Sequence, residues 1–206
     1  MKRLLFPMLA VISMLMALEA AADSYTFELG VPNSALSSYA GPYVSVEIDL
    51  IDSTHASVTA TGLSNYIMGD GGSFDLNTNG SATASDFTYT GGNAKTAFAS
   101  SGSKNISQFG VFNQTLTNFD GYNSAVTSLS FTLTNDTGTW SDASDVVTAN
   151  SDGYFAAAHI FIQGDGGALA TGFAGSGTVP VPEPATMLLL SSGLVGLVGF
   201  RKKFRR

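Results

Sequence analysis

The chain has 206 residues, a formal net charge of −7 and no cysteine. That is room for one ordinary domain plus short terminal segments, and it excludes a disulfide framework, a thiolate metal site and a cysteine nucleophile. Between Asp23 and Pro180 only Lys95 and Lys104 stand against fourteen acids, a net charge of −12, which excludes nucleic acid as a partner because its affinity comes from phosphate neutralisation by Lys and Arg.

The chain opens with "MKRLLFPMLAVISMLMALEAAADS". A charged start at Lys2 and Arg3, an apolar run from Leu4 to Leu18 and then small residues follow the order of a secretory signal peptide. Residues 1–22 are predicted to be that peptide, with Ala20 and Ala22 as the small residues of the cleavage site and Asp23 as the first residue after it. An uncleaved anchor fits less well, since the apolar run is short for a membrane span.

From residue 23 to 178 the text is rich in Ser, Thr, Asn and Gly, yet apolar residues recur with period two. In "YVSVEIDLI", Val44, Val46, Ile48 and Leu50 alternate with Ser45, Glu47 and Asp49, as in a half-buried strand. "HASVTAT" (Ala56, Val58, Ala60) and "SLSFTLTN" (Leu129, Phe131, Leu133) repeat the pattern. Further strands are expected over Tyr25 to Leu29, Phe74 to Asn77, Phe87 to Thr90, Ile106 to Phe112 and Phe155 to Ile162. The last is apolar on both faces and should be covered on each side. A mobile loop is expected from Thr90 to Asn105. Short strands separated by Gly, Asn and Asp turns, with 14 Phe and 7 Tyr to build a core, predict an all-β body: an antiparallel β-sandwich, jelly-roll-like.

Several clusters in the body carry chemistry as well as turn signals. Gly69-Asp70-Gly71-Gly72 and Gly164-Asp165-Gly166-Gly167 read as tight turns; the first also brings Asp70 and Asp75 near enough to suggest calcium, although no spaced series of acids follows. "NDTGTWSDASD" sets Asp142 and Asp145 beside the single tryptophan, Trp140. Such a cluster either anchors a loop or offers calcium or a sugar a platform of aromatic face and carboxylates. His55 and His159 are the only histidines, and His159 is expected as a buried, hydrogen-bonded ring. With no nucleophile elbow, zinc motif or phosphate loop, an enzyme is not expected, nor a cofactor beyond the calcium option. Glycosylation triplets occur at Asn79, Asn105, Asn113 and Asn135.

The chain closes with "VPEPATMLLLSSGLVGLVGFRKKFRR". Residues 185–200 lack ionisable groups and would span about 24 Å as a helix at ~1.5 Å per residue, close to a bilayer core. Gly193, Gly196 and Gly199 give that helix a thin side. Arg201, Lys202, Lys203, Arg205 and Arg206 should hold its end in the cytoplasm, with the acidic body on the far side. Pro182 and Pro184 cannot continue a helix, so the stretch before the span should stay extended.

Val181, Pro182, Glu183 and Pro184, followed at once by the apolar segment and the basic tail, resemble the PEP-CTERM sorting signal of Gram-negative surface proteins. The body phrases "GDGGSFDLNTNG" and "TGTWSDASDVVTAN" resemble proteins that carry this signal, and that likeness implies no activity. The resemblance implies an exosortase as partner, a membrane protease or transpeptidase that cuts near the motif. The organisation expected is a signal peptide (1–22), a β-body (23–178) and a sorting segment (179–206). The chain is expected to be exported, anchored transiently in the inner membrane with its body in the periplasm, and delivered to the cell surface or extracellular matrix. There the body would have a structural or interaction role; the alternative is a carbohydrate-binding module acting on exopolysaccharide.

Overall fold

The computed structural model describes residues 23–91, 97–118 and 120–177. The expected signal peptide, sorting motif, membrane helix and basic tail lie outside the described residues. Within them, the chain forms β1 (Asp23–Pro32), β2 (Val44–Asp52), β3 (His55–Gly62), β4 (Tyr66–Met68) and β5 (Asp70–Leu76). There follow β6 (Ala82–Thr90), β7 (Ala99–Ser100), β8 (Lys104–Ile106), β9 (Gly110–Phe112) and β10 (Gln114–Asn118). The last three are β11 (Ser128–Asn135), β12 (Ala156–Gly164) and β13 (Gly167–Ser176). The helical elements among the described residues are 3-10 turns of three or four residues. The all-β, antiparallel reading of the sequence is borne out.

One hydrogen-bonded sheet runs in the order β6-β11-β3-β2-β1-β13-β12-β5-β10-β7, with β4 added beside β12. It curls until its ends meet. The Gln114 side-chain amide at the start of β10 donates to the Ala82 carbonyl of β6, and Tyr89 packs on Phe98 with ring centroids 5.6 Å apart. The sandwich is therefore a nearly closed sheet, its two layers continuous through β1 and β13 and facing each other across contacts such as Phe74 to Phe131, 6.0 Å between centroids.

The period-two residues of the sequence fill the space between the layers. Val44, Val46 and Ile48 of β2, Ala56, Val58 and Ala60 of β3, and Leu129, Phe131 and Leu133 of β11 are all buried in one core. Each large aliphatic or aromatic side chain so buried contributes about 1.5–3 kcal/mol of transfer free energy.

The opposite layer differs. On β12, Ala156, Ala158, Ile160 and Ile162 join the same core, while Ala157 and Phe161 point the other way and are buried as well. Two outer covers account for that. The β8–β9 hairpin lays Ile106, Phe109 and Phe112 over Ala157, Tyr154 and Phe173. Ile67, Ala125 and Tyr122 cover Phe161. Close approach of the hairpin needs Gly175, where an added Cβ would stand 2.4 Å from the Phe109 ring.

Three local expectations change. The run from Ile106 to Phe112 is a hairpin, because Gln108 (φ 72) and Gly110 (φ 82) turn the chain at Ser107 to Phe109. The described part of the expected loop from Thr90 to Asn105 contains β7, paired with β10, and the start of β8. β10 and β13 are strands that lack the alternation by which strands were read.

Candidate functional site

Asp70 opens β5 just after β4, at a bulge in its pairing with β10, and Asp75 follows in the regular part of the same strand. Gly69 must be glycine, since an added Cβ would meet Ala125 Cα at 2.8 Å, and Asp70 and Gly72 take φ of 67° and 70°. The bulge is held by Asn118, whose Oδ1 accepts from the Asp70 amide at 3.0 Å and lies 2.7 Å from the Ser73 hydroxyl. Gly69 to Gly72 is thus a bulge opening β5 and not the tight turn expected, because β4 and β5 continue in one direction along β12. The second such tetrapeptide is the two-residue turn between β12 and β13, where Gly164 pairs with Gly167.

The two carboxyls have unlike surroundings. Asp75 is fully buried, opposite Thr115 of β10 and Ala157 of β12, and beneath Gly72, where an added Cβ would touch Asp75 Oδ2 at 3.0 Å and Ile106 Cδ1 at 2.9 Å. Neither of its oxygens has a hydrogen-bond partner. Burial pushes its pKa up to about 7, against the smaller opposing pulls of the Thr115 hydroxyl and the Lys104 charge. Asp70 instead faces His159, with 4.0 Å between Oδ2 and Nδ1. The His159 ring stacks on Phe173 at 4.5 Å and lies 2.8 Å from the Thr171 hydroxyl through Nε2. Burial lowers its pKa, Asp70 raises it, and Lys104 lowers it. The sequence placed His159 as a buried, bonded ring, and the ring is largely enclosed. It did not reveal the layer of Asp75, Thr115 and His159 beneath the hairpin, because that layer draws on β5, β10 and β12.

Among the described residues no three His, Cys, Asp or Glu side chains converge as a metal site would require.

Trp140 corrects the sugar-platform option. Its ring is 2 % exposed and its indole N–H donates to the Asn79 carbonyl at 3.1 Å, so no ring face is open to a sugar. The residue is a loop anchor. The acids around it serve the same loop. Asp142 Oδ1 caps the turn Ala143–Val146 by accepting from the amides of Ser144 (2.9 Å) and Asp145 (3.1 Å). Its pKa is lowered chiefly by the Ser144 hydroxyl. Asp145 accepts from the Ser141 amide at 3.2 Å and from its hydroxyl.

Asp23 is the first residue of β1, and its carboxylate accepts from the Ala143 amide at 2.6 Å. Ala20 and Ala22 lie outside the described residues. Of the glycosylation triplets, Asn113 and Asn135 spend their side chains on hydrogen bonds to Thr78 and to the amides of Thr137 and Gly138; Asn79 and Asn105 are exposed.

The sharpest functional signal lies in the tail. Residues 180–206 match the family described as the PEP-CTERM protein-sorting motif. The chain carries a PEP-CTERM sorting signal. The match spans Val181, Pro182, Glu183, Pro184, the apolar run and Arg201, Lys202, Lys203, Arg205 and Arg206 together. The signal makes this an exosortase-targeted protein, secreted and transiently anchored at the membrane before cleavage. Neither the curated proteins nor the solved structures give a match to the chain.

Proposed function

We propose that this is a non-enzymatic protein of the cell surface or extracellular matrix, whose β-body acts by structure and interaction after an exosortase frees it from the inner membrane. The single observation that carries the reading is the PEP-CTERM motif at residues 180–206. In this reading residues 1–22 export the chain, residues 185–200 halt it, and the basic tail fixes its orientation with the body in the periplasm. Pro182 and Pro184 keep the cleavage region out of helical conformation and so accessible to a protease cleft. Surface glycosylation, if it uses the triplets, falls on Asn79 and Asn105, the two exposed ones.

The test is deletion of the exosortase in the producing cell. The full chain less its signal peptide, starting at Asp23, should then accumulate in the inner membrane and disappear from the medium. Normal release without the exosortase would overturn the reading, and an intact Met1 on the membrane-held form would overturn the signal-peptide assignment.

The second reading, a carbohydrate-binding module, loses Trp140 as its platform. It retains support from one surface of the sheet.

A further inference from the structure

The solvent face of β3, β11 and β6 is a grid of hydroxyls. Register places Thr59, Ser130 and Thr88 in one row across the three strands, and Ser57, Thr132 and Ser85 in the next. The row above continues with Thr61, Ser128 and Thr90; below, Thr134 and Thr83 stand beside His55. Rows repeat about every 6.8 Å along a strand and columns about every 4.8 Å across it. The hydroxyls are partly fixed by one another: Thr59 Oγ1 and Ser130 Oγ are 2.9 Å apart, Thr61 Oγ1 and Ser128 Oγ 3.3 Å.

Strand propensity accounts for Thr in these positions but not for the missing charge. An ordinary soluble surface is roughly 25–35 % Lys, Arg, Glu and Asp. Here β3 and β11 contain no Asp, Glu, Lys or Arg, and the one acid of β6, Asp86, sits in a β-bulge at φ 54° on the edge strand. Charge lies at its margins: at the lower end Asp136 accepts from Thr83 at 3.1 Å and Asp52 stands 3.0 Å from the His55 ring, and on the next strand Glu47 and Asp49 of β2 stand opposite Thr59 and Ser57. The neutral patch is thus set in a body of net charge −12.

We propose that this face is the docking surface for a neutral polysaccharide. The choice follows from what the face offers. It has no cation for a phosphate or uronate, and no exposed aromatic, arginine or aliphatic anchor of the kind that carries protein–protein affinity. It has repeated donors and acceptors without net charge, which complement a chain of sugar hydroxyls. An ice lattice would also complement hydroxyl rows, but neighbouring strands rotate by about 20–25°, so a rigid crystal plane loses register within two or three strands. A flexible glycan can follow that twist. Many weak contacts along one polymer then add through effective concentration. The inference rests on the reading of the body as an exported interaction domain.

The test uses the full-length chain purified in detergent, which is independent of processing and therefore separates this proposal from the sorting reading. Sedimentation with microcrystalline cellulose and affinity electrophoresis in gels containing dextran or galactomannan should show retention by at least one of these glycans, unchanged in 1 M salt. The double substitution Ser130→Glu with Thr132→Glu should weaken retention at least tenfold while the far-ultraviolet spectrum stays that of the parent. The exchange Ser130→Thr with Thr132→Ser should preserve it. Glu47→Gln with Asp49→Asn, on the neighbouring strand, should not reduce it. No retention by any of the three glycans overturns the proposal, as does retention that survives the Ser130→Glu, Thr132→Glu change or is abolished by salt. Inhibition of ice growth without glycan retention assigns the face to ice and overturns it too.

Discussion

The two layers of the sheet solve the burial problem in opposite ways. In the β2–β3–β11 layer β3 and β11 alternate strictly, with buried apolar residues inward and hydroxyls outward, β2 alternates from Val44 to Ile48 with Ser45, Glu47 and Asp49 outward, and the outer side faces water directly. In the other layer β12, β5 and β10 are largely buried on both faces, together with the end of β13, and a separate hairpin and loop cover the outer side. The first layer is written locally, since each strand carries its own pattern. The second is written by pairs of distant segments, and burying it traps polar groups that the first layer leaves solvated.

That contrast can be broken by substitution. Phe109→Ala removes the main cover of the β12–β13 face and should cost about 3–5 kcal/mol, as large-to-small core changes do. Chemical denaturation of the full chain in detergent measures it, and a loss under 1 kcal/mol would mean that the hairpin is not part of the core.

Asp75→Asn probes the polar cost of the double cover. Because the folded-state pKa is raised to about 7, the neutral acid favours folding below the ordinary carboxylate pKa, and that contribution is lost as pH rises through about 7. The variant should therefore match the parent near pH 4 and exceed it near pH 8 by about 4 kcal/mol, at about 1.4 kcal/mol per pKa unit. Equal stability of the two proteins at pH 8 would show Asp75 to be solvated. His159 acts with the opposite sign: its lowered pKa means that its contribution is present above the ordinary imidazole pKa and lost as pH falls.

Asp142→Ala should cost about 1 kcal/mol, the usual value of a lost cap. Thr132→Ala, on the open face, should stay within about 0.5 kcal/mol of the parent. A larger loss there, read from the same denaturation curves, would erase the distinction between the layers.

The same contrast explains what could be read in advance. β3 and β11 were legible from alternation alone, with β11 bounded at Ser128 and Asn135 as the residues suggest. β12 was legible as doubly covered because Ala157 and Phe161 are apolar on its second face. β10 was not, because Gln114, Thr115, Thr117 and Asn118 are polar and yet buried, held by partners such as Ala82, Ser73 and Ser124 that no local pattern connects to them. β13 was hidden by its small residues, since Gly172 and Gly175 are there to admit Leu36 and Phe109. Among candidate site residues, the tail was fully legible because its three parts are contiguous. Trp140 as a sugar platform failed because a single tryptophan among turn acids looks alike whether its ring points out or in.

The central claim is that residues 180–206 are a sorting signal and not a permanent anchor. The most direct test is mass spectrometry of the released protein from cells expressing the parent chain and a variant with Pro182, Glu183 and Pro184 all changed to alanine. Apolar length and terminal charge are the same in both, so export and insertion should be equal. The account predicts a released parent ending near residue 182, and a variant that stays in the inner membrane as full-length precursor. Release of the variant in normal yield with the same C-terminus would contradict it.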